Sequence, residues 1–376
     1  MKICIFPNDS LLSYFSKGEI KKGYFNPKDF FEEVHVISLF DEEIDENQVQ
    51  KLAGSGALKI HNIGKTNLTN YKNKEERVIK LIQKINPSII RAFNPLVQGW
   101  LAIKSGKKLH IPIVISLHTN YEQQKSESKK RRKYFRFLKL TYTANKIEKY
   151  VLKNADAVIC VYEFIVDYAK KMGANNIHVI YNKIDLQQFS PNIKKKFFSK
   201  IPVILTVGRL IDQKNPKHII EAVKNLQVEL LIIGDGPNYN SLNYLVQSLE
   251  LSNKVKFIKS VPHEKLNSYY VSSDIFAQPL ENLGGISMPV MEAMACGLPV
   301  VMTERSESCP EIIDDAVFFV KNNPLEFQNA FKKILSDLEL KNSLEKKSLG
   351  IMAKIGGDVM EKKECKLYQE LLKKSS

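Results

Sequence analysis

A chain of 376 residues with 44% hydrophobic and 26% charged side chains has the makeup of a soluble globular protein, not of a largely disordered one. It is too long for one ordinary core, so two domains of about 180 residues are expected. Its formal charge of +15 asks for an anionic partner, and leaves nucleotide, nucleic acid and acidic lipid open. Five cysteines without a C-x-x-C pair or a tight Cys/His cluster signal neither a disulfide framework nor a zinc site, and fit a reducing cytoplasm.

The chain opens on M-K-I-C-I-F-P, which reads as a short strand rather than a secretion signal. No run approaches the roughly 18 apolar residues of a membrane span, so a cytoplasmic protein is expected. Short β-branched runs then alternate with helix-like segments: 2–6, 34–39, 88–92, 111–117, 157–161 and 177–181. After the segment 186–201, whose Ser-Pro-Asn and lysine run mark an exposed linker, the series resumes at 203–207, 230–233, 255–258, 275–278, 299–302 and 317–320. Near-continuous apolar strands between helices predict parallel sheets covered on both faces, hence an α/β chain of two Rossmann-like, doubly wound domains. The expected domains are 1–190 and 191–357, with a last helix at about 358–376 whose apolar positions are Val359, Cys365, Tyr368, Leu371 and Leu372.

Ligands of open parallel sheets sit beyond the carboxyl ends of the strands, so two facing sheets would form a cleft, and the remaining motifs gather where those ends fall. Gly18 and Gly23 flank a loop after the first strand; Gly18 is a donor-binding candidate, against the plainer reading of a connecting loop. His118 ends the strand I-P-I-V-I-S-L, where it either bonds a substrate or caps the next helix. Residues Lys125 to Lys153 hold 11 Lys or Arg against 2 Glu. Read as one helix, Arg132, Arg136, Lys139, Lys146 and Lys153 line one face, and Phe137, Leu140, Ala144, Ile147 and Val151 form the core stripe. Tyr134, Leu138 and Tyr142 are left exposed, a pattern that suits an anionic bilayer or else a merely solvated face. No recognition motif accompanies this charge, so no nucleic-acid partner is expected.

In the second half, V-I-L-T-V-G-R-L-I-D-Q-K-N places Arg209 and Lys214 just after a strand, as a planar fork and a point charge for a diphosphate. The turn G-D-G-P follows the next strand. Residues 283–301, L-G-G-I-S-M-P-V-M-E-A-M-A-C-G-L-P-V-V, read as loop, short helix and strand. Ser287 is placed to cap the helix, Pro289 fits its first turn and Gly297 its C′ position. The helix amino end, following Gly284 and Gly285 and including Ile286, Ser287 and Met288, suits phosphate; Glu292, one turn below, suits a pair of sugar hydroxyls. No D-x-D pair is present, so no metal is expected, and the cations and helix N–H groups are left to stabilise a leaving diphosphate.

Together these segments resemble glycosyltransferase family 4, retaining enzymes of the two-Rossmann GT-B fold. The likeness rests on S-L-H around His118, N-A-D-A-V-I-C-V-Y, I-Y-N-K-I-D-L-Q-Q-F-S-P, V-G-R-L-I-D-Q-K-N, I-I-G-D-G-P, M-E-A-M-A-C-G-L-P-V-V and C-P-E-I-I, and it spans nearly the whole chain. It implies that Arg209 and Lys214 grip the donor diphosphate, Glu292 takes the ribose hydroxyls, amides from Gly285 to Met288 approach phosphate and sugar, and His118 contacts the sugar. It also implies that the last helix packs back on the first domain. The family often carries two glutamates eight positions apart, and here Gly284 stands where the first would be, with Glu281 three residues away.

The expected activity is a metal-independent, cofactor-free transfer from a nucleotide diphosphate sugar to a hydroxyl of a glycan or lipid-linked acceptor, in cell-envelope or polysaccharide synthesis, in the cytoplasm or at the inner face of the membrane. A non-catalytic sugar-nucleotide-binding subunit is the alternative, compatible with Gly284. A nicotinamide oxidoreductase would want G-x-G-x-x-G after a first strand, and none is present.

Overall fold

The computed structural model describes residues 1–16, 18, 20–130, 132–197, 199–214, 216–280, 286–304 and 311–375, and the backbone alone at 127, 130 and 375. The chain divides into two compact units, Met1–Tyr181 with Met360–Ser376, and Asn182–Val359.

In the first unit β1 (Lys2–Phe6), β2 (Glu33–Ser38), β3 (Ala57–Asn62), β4 (Ile89–Ala92), β5 (Ile113–Leu117), β6 (Ala157–Cys160) and β7 (Ile177–Val179) form one sheet in the order β3-β2-β1-β4-β5-β6-β7. All of its pairings are parallel. Ile3, Cys4, Ile5 and Phe6 are sealed from solvent on both faces, which is why these strands read as apolar runs. β3 escaped the sequence reading because its A-L-K-I-H-N is half polar; it is the sheet edge and pairs with β2 alone. The chain order reverses between β1 and β4, where Asn94 Nδ2 donates to Asn8 Oδ1 at 2.9 Å.

The second unit holds β8 (Val203–Val207), β9 (Glu229–Ile233), β10 (Val255–Ile258), β11 (Ile275–Gln278), β12 (Val300–Thr303) and β13 (Val317–Val320), in the order β10-β9-β8-β11-β12-β13. Its switch point lies between β8 and β11. The segment expected as an exposed linker is largely exposed, and it belongs to this unit. Phe189 is buried against His263 and Tyr270, Asn267 Nδ2 donates to the Gln188 carbonyl, and Lys196 N donates to Ser272 Oγ. One buried aromatic ring and these hydrogen bonds tie 188–196 down, so the unit boundary falls at Tyr181 rather than near 190.

The last helix, Gly357–Ser375, begins in the second unit and runs into the first. Met360, Glu364, Leu367, Tyr368 and Leu371 form its buried face, spaced as a helix stripe requires. Each large apolar member contributes about 1.5–3 kcal/mol when fully covered. Of the expected positions Tyr368 and Leu371 lie fully on that face, while Cys365 is only partly covered and donates to the Pro27 carbonyl.

The basic segment is not one helix. Arg132 takes a left-handed φ of 54° and separates Tyr121–Lys130 from Tyr134–Thr143, so its guanidinium does not continue a single cationic face. Beyond the break the core stripe holds, with Leu140, Ile147 and Val151 buried, while Tyr134, Leu138 and Tyr142 are exposed together with Phe135, which is 93% exposed. A π-helical stretch at Ala144–Glu148 inserts a residue and turns Glu148 into the core. Tyr168 donates to one of its carboxyl oxygens; the other has no partner.

Burial pushes the Glu148 carboxyl up, against the hydrogen bond from Tyr168. Its folded pKa lies above its unfolded one, so this group's stabilisation is full below the ordinary carboxylate range and is lost as pH rises through the folded value. Glu148→Gln should raise the urea midpoint at about pH 8 by an amount worth about 1 kcal/mol and flatten the decline between about pH 5 and 8. Parallel urea titrations of the two proteins at both pH values check this; equal slopes would refute it.

Candidate functional site

The second unit's switch point is built by the loops after β8 and β11. Gly208, Leu210, Lys214 and Gln278 line a hollow there, with Thr206 and Ile232 at its base. The loop after β8 lies so close to the loop after β9 that only glycine fits the latter. A Cβ on Gly234 would collide with the Gly208 carbonyl, and one on Gly236 would fall 2.5 Å from the Leu210 carbonyl. Leu210 N donates to the Asp235 carbonyl at 3.0 Å, and Asn238 N to the Leu210 carbonyl at 3.0 Å. The G-D-G turn is therefore the brace that fixes the Arg209 loop.

Arg209 is exposed on that loop and Lys214 half-buried in the hollow. Neither has an ion-pair partner among the described residues. Burial, and then the Arg209 charge, pull the Lys214 ammonium below its ordinary value. Two cations that repel one another at a strand's carboxyl end, unneutralised by any described acid, can hold an anion.

Helix Met288–Ala295 starts beside them. Ser287 occupies the N-cap position, yet its hydroxyl does not cap the helix. It donates instead to Oε1 of the buried Gln278, at 3.0 Å. The same side chain lines the Lys214 hollow, so Gln278 joins the helix start to the cation site. The helix amino end is left without a side-chain cap, as an anion-binding end requires. Ile286 is buried and Met288 half-buried; Gly284, Gly285 and Glu281 lie outside the described residues.

Glu292 is five positions past Ser287, about 140° around the helix axis, and does not line that hollow. Its carboxylate is buried and turned toward helix His263–Tyr270, with Oε1 2.8 Å from His263 Nε2 and Oε2 2.9 Å from Tyr270 Oη. A carboxylate only accepts, so His263 Nε2 carries the proton. Each oxygen keeps a lone pair for a further donor. Burial, then Glu292, raise the Tyr270 hydroxyl well above its ordinary value, so it stays a donor. His263 and Tyr270 were not legible as partners, although their seven-residue spacing puts both on one helix face.

In the first unit, His118 sits at the carboxyl end of β5, and no cap to the following helix is made by its ring. Nε2 is shielded from solvent and has no hydrogen-bond partner. The ring lies nearly parallel to Phe93, 16° apart with centroids at 6.1 Å. Burial, and then the Arg91 cation, pull its pKa down to about 4, so the imidazole is neutral at neutral pH. Gly18 takes a φ of 67° after helix Leu11–Ser16, and nothing lies within 4 Å of where its Cβ would stand. Its surroundings describe a turn.

Two family models cover the chain in sequence: "Glycosyltransferase Family 4" matches residues 32–188 and "Glycosyl transferases group 1" matches residues 189–349. A glycosyltransferase of Methanocaldococcus jannaschii, MJ1178, is 24% identical over 294 residues, covering 77% of this chain and 78% of that protein. The GPI3 subunit of the Saccharomyces cerevisiae phosphatidylinositol N-acetylglucosaminyltransferase is 28% identical over 184 residues, 45% of this chain and 40% of that one. In fold, the chain is similar to Anabaena HepE in complex with UDP, with a TM-score of 0.74 over 98% of this chain and 100% of that one, at 14% identity. With both halves matched in order and two Rossmann-like parallel sheets beneath them, the chain belongs to glycosyltransferase family 4 and is a glycosyltransferase of the GT-B fold.

Proposed function

We propose that this enzyme transfers a sugar from a nucleotide diphosphate sugar to a hydroxyl of a glycan or lipid-linked acceptor, with retention at the anomeric carbon and without a metal. The observation that carries the reading is the Arg209–Lys214 pair, two adjacent cations without a described counter-charge at the second unit's switch point. A diphosphate relieves their repulsion, and charge-assisted hydrogen bonds to it strengthen as its bond to the sugar breaks. The helix amino end at Ser287 and Met288 adds oriented N–H groups on the same loop cluster. Glu292, held by His263 and Tyr270 with one lone pair per oxygen to spare, accepts from the two ribose hydroxyls.

In the reaction the bond from the anomeric carbon to the diphosphate oxygen breaks and the acceptor oxygen takes its place. The departing diphosphate receives the acceptor's proton on the face it is leaving, which accounts for retention without a side-chain nucleophile. His118, neutral and with Nε2 unpartnered, exchanges a hydrogen bond with a hydroxyl of the transferred sugar. The loop at Gly18 and the amides at Gly284 and Gly285 are further donor contacts in this reading, that of Gly285 on the family resemblance.

The acceptor side is read from the helix Tyr134–Thr143. Tyr134, Phe135, Leu138 and Tyr142 are exposed beside Lys133, Arg136, Lys139 and Lys146, a mixture that suits insertion at an anionic bilayer surface. No described helix is long and apolar enough to cross a membrane, and the yeast relative's name carries a phosphatidylinositol acceptor. That exposed mixture supports a proposal of work in the cytoplasm at the inner face of the membrane, in envelope or polysaccharide synthesis.

Thermal unfolding with UDP, GDP, ADP and their sugars tests the donor half, because a ligand of the folded state raises the melting point by mass action. One nucleotide series should raise it; Arg209→Ala and Lys214→Ala should each weaken that donor about tenfold or more. Glu292→Ala should cost binding of the nucleoside as well as of the diphosphate. If no diphosphate shifts the transition, the donor assignment is wrong.

Co-sedimentation with vesicles tests the acceptor half. Binding to anionic vesicles should exceed binding to neutral ones, at about 1 kcal/mol per engaged basic residue, and Phe135→Ser should reduce it. Equal binding to both would remove the membrane reading.

A further inference from the structure

The first unit contains a buried ion pair that neither the family motifs nor the donor chemistry uses. Arg91, on β4, is a charged residue in an otherwise apolar strand of a sheet covered on both faces. Its fork is fully engaged: Nε and Nη2 donate to Ser116 Oγ at 3.2 and 3.1 Å, and Nη1 donates to Glu364 and, at 2.8 Å, to Tyr368 Oη. Tyr368 donates in turn to Glu364 at 2.7 Å. Burial would lower the Arg91 pKa, but Glu364 and Tyr368 carry it above its ordinary value, so it is a permanent cation.

The period of two along strands puts Arg91 and Phe93 on one side of β4, and Ser116 and His118 on one side of β5. The guanidinium carbon lies 4.3 Å from the centre of the Phe93 ring, a cation–π distance. The His118 ring stacks on that same Phe93. Ser116, the other partner of Arg91, is two residues before His118 on the same strand. Arg91 thus reaches His118 by two routes, through a ring and through the backbone, and the end of the assembly is the sheltered, unpartnered Nε2.

We propose that Arg91, clamped by Glu364 and Tyr368 of the last helix, is a positioning residue that fixes the His118 ring for the reacting sugar, so that residues 360–371 are part of this site as well as of the fold. The inference rests on the reading that His118 contacts the sugar. The charged and titratable groups around the assembly are Arg91 from β4, Glu364 and Tyr368 from the last helix, and Tyr24, whose ring packs on Phe93. Removing the Arg91 charge takes away one of the two causes of the low His118 pKa, so its titration should move up toward the ordinary histidine range.

The test uses full-length protein and the donor identified by thermal shift. The double variant Arg91→Met/Glu364→Leu removes the pair without leaving an uncompensated buried charge. Expected are a fall in kcat of about ten- to hundredfold, as misplacement of a reacting group costs, a donor KM that changes little, and an upward move of the His118 ring titration followed by NMR. The His118→Ala spectrum assigns that signal. Arg91→Lys covers the case in which the double variant fails to fold: it keeps the charge and loses the fork, and should lose kcat with the titration unmoved.

If His118→Ala lowers kcat and the Arg91 variants do not, the functional reading stands and the positioning role is overturned. A His118 titration unchanged in the folded double variant overturns it too. If His118→Ala leaves kcat intact, both fall together.

Discussion

Arg209 and Lys214 repel each other at the end of β8, and the second unit is arranged so that nothing in its described parts relieves them. Gln278, a buried polar side chain lining the Lys214 hollow, accepts from Ser287 through its side-chain carbonyl. A protein tolerates such local instability where a ligand is to cancel it. The cost is kept small by leaving Arg209 in solvent, where screening weakens the repulsion, and by bracing its loop with backbone hydrogen bonds to the turn after β9. The diphosphate proposed for this hollow would relieve that repulsion.

Among the described residues three glutamates are at most 2% exposed, and each solves the problem of a buried carboxylate in a different way. Glu364 meets a guanidinium and is a full ion pair. Glu292 receives two hydrogen bonds, one from an imidazole N–H and one from a phenol, and keeps spare acceptor capacity. Glu148 has a single phenol and one bare oxygen, and settles by holding its proton more tightly. Desolvation is the shared penalty. Of the three, only Glu292 combines hydrogen bonds on both oxygens with spare acceptor capacity on each, the arrangement that the proposed ribose contact relies on.

The strands were legible because both of their faces are buried, so that apolar runs such as Ile3–Phe6 carry the signal without needing periodicity. β3 was not, because an edge strand with a solvated side mixes Lys59 and His61 into its run. The Arg209 and Lys214 pair could be placed from their distance to a strand end, since local sequence fixes which end of a strand a loop follows. The partners of Glu292 could not, because His263 and Tyr270 reach it through tertiary packing between two helices. Ser287 shows the limit from the other side: its type and position forecast a cap, and a buried glutamine nine residues earlier outcompetes the helix for its hydroxyl. The break at Arg132 likewise has no local signature, since arginine rarely takes a left-handed φ.

Glu364 carries this lesson furthest. On sequence alone an acid among Met360, Leu367, Tyr368 and Leu371 interrupts an apolar stripe and weakens the expectation of a packed helix. In the structure it is the residue that gives the stripe its address, because Arg91 lies in an apolar sheet and only an acid arriving with the last helix satisfies it. A helix held by hydrophobic contacts alone can slide by a turn and bury nearly as much area, whereas a forked guanidinium accepts its carboxylate and phenol at one register. Buried ion pairs in general add little net stability over an apolar substitute of similar volume. What this one adds is a fixed geometry at the strand whose next same-side residue, Phe93, backs the His118 ring.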